Sequence, residues 1–432
     1  MRLAIIRQRY TPYGGAERFI EHALEALLER NVAISLYTRE WPQTNLHLME
    51  PQIVDPFYVG RLWRDWGFAR AACRKIARTE PDLVQSHERL ACCDIFRAGD
   101  GVHAVWLEER QREAGTFKRL ALAASPYHQY VLRMERRLLQ SPSLAAVVCN
   151  SAMVRDEIKS RFGVPDAKLH LIYNAVDSEA FSPALPADRA ATRAQLGIGD
   201  DAVVFLLVGS GYERKGVATL LDAMRELPPS ALLIVVGRES RMNAYVQRAA
   251  RAGVAGRVMF AGPQKDPKPF YGAADAFVLP TLYDPLPNAA LEAMACGLPI
   301  ITSTKSGAAE LVRGADAGFI CASRDVASLA AHMRALMDGA LRARLGARAR
   351  SAVLPFTPPA MTLQLVLLYK ALLEASVARR RGRGSPDAKS PDVESGAPAQ
   401  TVDAVPPQAS VADASPTLRN PPSTSGGEAG DN

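Results

Sequence analysis

Short apolar runs alternate with helical patterns along most of the chain, and this alternation limits the possible folds more than any other feature. Residues 3–6, 32–38, 83–86, 95–98, 145–149 and 169–173 read as strands. Gly14 and Gly15 open a helical segment, AERFIEHALEALLER, and Asn150 and Ser151 stand as N-cap residues before another helix. The segment FSPALPADRA, residues 181–190, interrupts the pattern with two prolines. Alternation then resumes, with strands expected at 203–208, 232–236, 258–261, 276–279, 300–302 and 319–321. Strands that are apolar throughout and separated by helices belong to parallel sheets covered on both faces.

Two such blocks about a proline-containing hinge predict an α/β chain of two Rossmann-like domains with a central cleft. The first domain is expected over residues 1–180 and the second over 181–357. A terminal helix over 358–378, built on MTLQLVLLYKALLEA, is expected to pack back on the first domain. Residues 379–432 are rich in Ser, Pro, Ala and Asp; they have too few large apolar side chains to offset the entropy of ordering and read as a disordered tail.

Charge and cysteine content exclude some classes. The net charge is +7, but residues 385–432 hold seven acids and two bases, so the first 384 residues carry +12. A basic body of this kind suits phosphorylated substrates, anionic membrane or nucleic acid, and charge alone does not choose. No nucleic-acid-binding module is recognisable. No charge-free stretch of about 18 apolar residues stands out as a membrane span, and the start MRLAIIRQRY has too short an apolar run for a secretory signal. The six cysteines show no Cys-x-x-Cys spacing and read as reduced thiols, with no metal site. A cytoplasmic chain is expected.

Two stretches carry chemistry. GSGYERKG, residues 209–216, follows an apolar strand: Gly209 and Gly211 permit a tight turn and close backbone approach, while Arg214 and Lys215 offer a planar fork and a compact cation for phosphate oxygens. An ordinary strand-to-helix turn with solvated charges would look the same. It is not a Walker loop, since the spacing fails and no hydroxyl follows Lys215. In YDPLPNAALEAMACGLPIITS, residues 283–303, Asp284 lies in a proline-rich loop and Glu292 in the helical run after it. A carboxylate there can complement the helix dipole or accept from ligand hydroxyls such as a ribose diol.

Taken together these stretches resemble the donor-binding half of the family 4 glycosyltransferases (group 1 type), which have the two-Rossmann GT-B fold. YTPYGGAERF at 10–19 is similar to that family's Gly-Gly loop, and IYNAVD at 172–177 to its Asn-Gly-Val-Asp; the resemblance covers about residues 1–355. It implies that Arg214 and Lys215 bind the nucleotide diphosphate and stabilise the departing phosphate. It also implies that Glu292 holds the ribose, with Gly209 at the donor turn, and that Gly14 and Gly15 place backbone amides near the phosphates from the opposite domain. Asp284 stands where the family has Glu as a contact to the donor sugar; the shorter side chain departs from the pattern, as does Ala175 in place of Gly. The implied activity is a retaining, metal-independent transfer of a hexose from a nucleotide sugar, UDP-linked, to a lipid-linked or polysaccharide acceptor such as lipopolysaccharide core, with no cofactor. No Asp-x-Asp motif for magnesium occurs.

On the acceptor side, Asp100 and His103 follow a strand in DIFRAGDGVHAVWLEER, where they either orient an acceptor hydroxyl or form a polar strand-end turn. Residues 59–78 hold six bases with Trp63, Trp66 and Phe68. Leu62, Trp66, Ala69, Cys73 and Ile76 fall on one expected core face, and the opposite cationic side suits reversible contact with the inner membrane surface. Two other functions are compatible with this organisation. A nucleotide-sugar epimerase of the same architecture would turn over without an acceptor. A non-catalytic nucleotide-sugar-binding protein would fit the Asp284 replacement, against which stand the intact Arg214, Lys215 and Glu292.

Overall fold

The computed structural model describes residues 1–9, 32–41, 51–112 and 114–383. Gly14, Gly15, the helical segment at 16–30 and the tail from 384 onward lie outside the described residues. Among the described residues the first half forms a seven-stranded sheet of β1 (Arg2–Ile6), β2 (Ala33–Thr38), β3 (Pro51–Ile53), β4 (Leu83–Ser86), β5 (Ile95–Arg97), β6 (Ala146–Cys149) and β7 (Leu169–Leu171). The second half forms a six-stranded sheet of β8 (Val203–Val208), β9 (Ala231–Val236), β10 (Val258–Gly262), β11 (Ala276–Leu279), β12 (Ile300–Ser303) and β13 (Gly318–Cys321). The strand pairs are parallel, in the orders β3-β2-β1-β4-β5-β6-β7 and β10-β9-β8-β11-β12-β13. Both sheets therefore reverse direction of winding beside their first strand, as doubly wound sheets do. β3 was not expected; its three residues, Pro-Gln-Ile, are too short and too exposed to leave an apolar signature.

Alternation along β1 shows how the first sheet is covered. Leu3 and Ile5 point to one face and Ala4 and Ile6 to the other, the period of two that a strand imposes. Ala4 and Ile6 meet Phe68, Ala72 and Ile76 of helix Gly60–Thr79. Leu3 and Ile5 meet Met361, Leu365 and Tyr369 of the terminal helix, which returns from the second half to cover this face. Tyr369 also donates from its hydroxyl to Gln85 Oε1 at 2.6 Å.

Several expectations need correction. The core face of helix Gly60–Thr79 is Phe68, Ala72 and Ile76, so Leu62 and Trp66 stand exposed instead of buried, together with Trp63. Three residues at i, i+4 and i+8 already fill the available contact, and the aromatic end projects past the sheet. Cys73 and Cys92 form a disulfide, their Cα atoms 5.9 Å apart, because this helix lies over the turn between β4 and β5; the reduced-thiol expectation fails for this pair. The terminal helix spans Pro358–Arg383, past the expected end at 378, since the arginines of its last turns are good helix formers. Pro186 begins a helix, Pro186–Gln195, inside the expected linker, at the first helical position that proline favours. By length and composition the helical stretch Gly339–Ser376 is apolar enough to cross a membrane, although it is not free of charge; the buried side chains of Gly339–Val353 belong to the core of the second sheet, and those from Met361 onward pack on the first.

The terminal helix is thus part of the first core. Replacing Leu365, which is fully buried, by Ala should cost about 2–5 kcal/mol. Leu363→Ala, at a half-exposed position of the same helix, should change stability by less than about 0.5 kcal/mol. Denaturant midpoints of the two variants check this, and equal midpoints would mean the helix does not contribute to the core.

Candidate functional site

In the second sheet β8 lies between β9 and β11, so the loops leaving β8 and β11 part in opposite directions and leave a crevice at their carboxyl ends. Gly209–Gly216 follows β8, and residues 280–287 follow β11. The two loops are tied by backbone: Arg214 O accepts from Leu282 N–H and from the Thr281 hydroxyl, both at 2.8 Å. Asp284 is fixed from the other side by Lys305 O and Gly307 N–H. The sequence positions 214–215 and 284 are thereby brought into one contact.

Asp284 Oδ2 accepts from Lys215 Nζ at 2.5 Å and stands 3.1 Å from an Arg214 guanidinium nitrogen. Lys215 and Asp284 are buried, whereas the Arg214 side chain is 38% exposed and opens the cluster toward solvent. Burial opposes ionisation of Asp284, but Lys215 and Arg214 outweigh it and hold the carboxyl below its usual range. Burial pulls the Lys215 ammonium down against the pull of Asp284. Gly209 makes room for this geometry: a Cβ there would lie 2.7 Å from Lys215 Cε and would push the lysine stem off the strand end. One carboxylate shared by two cations leaves net positive charge, which suits an anion.

Glu292 sits in helix Asn288–Ala295 and is buried; the Tyr271 hydroxyl donates to its Oε2 at 2.8 Å. Tyr271 was not singled out by the sequence, since a lone tyrosine in FYGAADAF reads as core. Asp100 and His103 lie in the first half, in the wall of a 260 Å³ cavity at the carboxyl ends of β1 and β4. His103 is half-buried, not a solvated turn residue. Its Nε2 is 3.1 Å from His128 Nδ1, and burial, with Arg89 and His128 adding to it, pulls its pKa down to about 3. It is therefore neutral at cellular pH. Glu88 and Arg89 line the same cavity, and burial pushes the Glu88 carboxyl up despite Arg7. Sequence reasoning missed both; their place in SHERL directly after β4 was the available signal. Among the described residues no group of three or more His, Cys, Asp or Glu side chains is placed to hold a metal ion.

The two halves meet beside these sites. The Tyr283 hydroxyl accepts from Val102 N–H and donates to Glu157 Oε2, each at 2.8 Å. Gly101 permits this approach, because at its φ of +67° a Cβ would stand 2.3 Å from the Tyr283 oxygen. Glu310 of the second half accepts from Ala152 and Met153 N–H and so caps helix Ala152–Phe162 of the first. Asn174, from the IYNAVD stretch, donates to Leu286 O and Asn288 Oδ1. Asp100 and His103 thus flank the loop that touches Tyr283, the neighbour of Asp284.

Residues 13–180 match the family model described as Glycosyltransferase Family 4, and residues 188–352 the model described as Glycosyl transferases group 1. The lipopolysaccharide core biosynthesis glycosyltransferase LpsE of Rhizobium meliloti (strain 1021) is 28% identical over 342 residues, 78% of this chain and 89% of its own. The crystal structure of WaaG, a glycosyltransferase of lipopolysaccharide biosynthesis, superposes with a TM-score of 0.73 at 21% identity, over 83% of this chain and 98% of that one. Anabaena HepE in complex with UDP-glucose superposes with a TM-score of 0.66 at 20% identity, over 86% and 100%. The expected fold is thus the observed one, and the chain belongs to the family 4 glycosyltransferases, with the GT-B architecture.

Proposed function

We propose that this glycosyltransferase is a retaining, metal-independent hexosyltransferase that uses a UDP-linked sugar and a lipid-linked or polysaccharide acceptor such as lipopolysaccharide core. The observation that carries this reading is the Arg214–Lys215–Asp284 cluster at the crevice of the second sheet. Breaking the bond between the anomeric carbon and the phosphate oxygen leaves negative charge on the departing diphosphate. Cations held in place beforehand meet that charge without reorganising during the reaction. The acceptor oxygen bonds to the anomeric carbon on the face the phosphate leaves, and its proton passes to the departing phosphate oxygen. Arg214 and Lys215 serve the diphosphate, Glu292 the ribose and Asp284 a donor-sugar hydroxyl. Gly14 and Gly15 supply amides from the first half, and Asp100 and neutral His103 orient the acceptor. The part that LpsE and WaaG play in lipopolysaccharide biosynthesis, and the UDP-glucose held by HepE, support the choice of substrates.

The reading extends to the membrane surface. Leu62, Trp63 and Trp66 are exposed beside Phe57 and Val59, and Arg61, Arg70 and Arg74 are exposed on the same helix. Apolar side chains with adjacent cations suit the interface of an anionic bilayer, where each base contributes about 1 kcal/mol. This is the surface on which a cytoplasmic enzyme would meet a lipid-linked acceptor.

Lys215→Ala and Arg214→Ala should each lower turnover by about 10²–10³ with the circular dichroism spectrum unchanged. Near-normal rates in both variants would remove the phosphate role. In vesicle sedimentation the wild type should bind anionic but not neutral vesicles and be released by salt. Arg70→Glu/Arg74→Glu should bind more weakly. Equal binding to both vesicle types, or none at low salt, would sink the membrane assignment while leaving the transferase reading in place.

A further inference from the structure

We infer that Glu88 positions the acceptor by taking a hydrogen bond from one of its sugar hydroxyls, an inference that rests on the transferase reading. Glu88 follows β4 at the point where the first sheet reverses its winding, the counterpart of the crevice that holds Lys215 in the second sheet. Its carboxylate is held on one side only. Oε1 accepts from Gln8 N–H at 3.0 Å and from Arg7 at 3.4 Å, and among the described residues no group hydrogen-bonds Oε2. The backbone beneath it is locked as well: Glu88 N–H donates to Ser86 Oγ, and that hydroxyl donates to Glu88 O. The result is a fixed, half-buried carboxylate with one oxygen open among the described residues, in the wall of the 260 Å³ cavity it shares with Asp100, His103 and Tyr130.

Water can satisfy a carboxylate oxygen in such a place, and a sugar hydroxyl is the donor this enzyme class brings to take its position. Arg89 does not take that place, because its guanidinium is spent on Glu135 and Gly101 O. The cavity also lies where an acceptor is needed. Asp100 and His103 flank Gly101 and Val102, which touch Tyr283, and Tyr283 adjoins Asp284 of the cation cluster. A sugar ring held by Glu88 therefore sits on the side of the first half that faces the donor. Asp100, exposed at the rim, offers a second carboxylate to a neighbouring hydroxyl.

The test uses the full chain with UDP-glucose as donor and, as acceptor, lipopolysaccharide extracted from the source organism lacking this gene. Glu88→Gln should raise the KM for lipopolysaccharide about ten- to a hundredfold, the loss expected for one hydrogen bond to a charged group. The KM for UDP-glucose and the melting temperature should stay at their wild-type values, and Glu88→Asp should recover part of the acceptor affinity. An unchanged acceptor KM overturns the inference. So does a rise in both KM values accompanied by a lower melting temperature, which would make Glu88 a structural residue. Failure of the wild type itself to transfer glucose to this acceptor overturns the transferase reading as stated, and the inference with it.

Discussion

Lys215 has no reason to be buried unless something meets its charge. Asp284 does so, and the geometry of the second crevice follows from that one contact. The carboxylate comes from the loop after β11 and the ammonium from the loop after β8, so the ion pair joins the two loops that diverge at the reversal of the sheet. Removing one partner of such a buried pair leaves an uncompensated charge and typically costs about 3–5 kcal/mol. Arg214 shares the same carboxylate oxygen but stays partly exposed, and through it the cluster presents a positive face to the crevice. Aspartate in place of glutamate shortens the reach by one methylene. In the structure one of its oxygens, Oδ2, meets both cations.

The second constraint is how the halves meet. Tyr283 uses its hydroxyl in both directions, and Glu310 caps a helix that belongs to the other half. Lys305 adds an ammonium 3.6 Å from Glu109 and 3.9 Å from Glu157. These are polar contacts with glycine at the closest approach, so the first-half cavity and the cation cluster share a border instead of facing each other across a wide gap. The terminal helix reinforces the arrangement, since it leaves the second half and fills one face of the first sheet.

Much of this was legible in the sequence because it depends on local pattern. Apolar strands separated by helices marked both sheets, and the sequence already singled out Arg214, Lys215 and Asp284, which the structure brings into one cluster. Features that depend on how elements face one another were not legible. On helix Gly60–Thr79 the expected face holds for Ala69, Cys73 and Ile76, which pack on or against the core, but not for Leu62 and Trp66; the buried set Phe68, Ala72 and Ile76 satisfies helical spacing equally well. Only contact with the sheet chooses between them. The Cys73–Cys92 bond joins residues 19 apart that no motif pairs. Glu88 reads as an ordinary loop acid until Gln8 and Arg7, far away in sequence, are seen to hold one of its oxygens.

The central claim is that fixed side-chain cations, not a metal ion, hold the donor diphosphate. Calorimetric titration of UDP into the protein in excess EDTA tests it most directly, with wild type and Lys215→Ala compared at the same ionic strength. The account predicts that the wild type binds UDP with chelator present and that Lys215→Ala weakens binding at least about tenfold, the loss of one charge-assisted hydrogen bond. Binding that appears only when magnesium is restored, or that is equal in the two proteins, would contradict it.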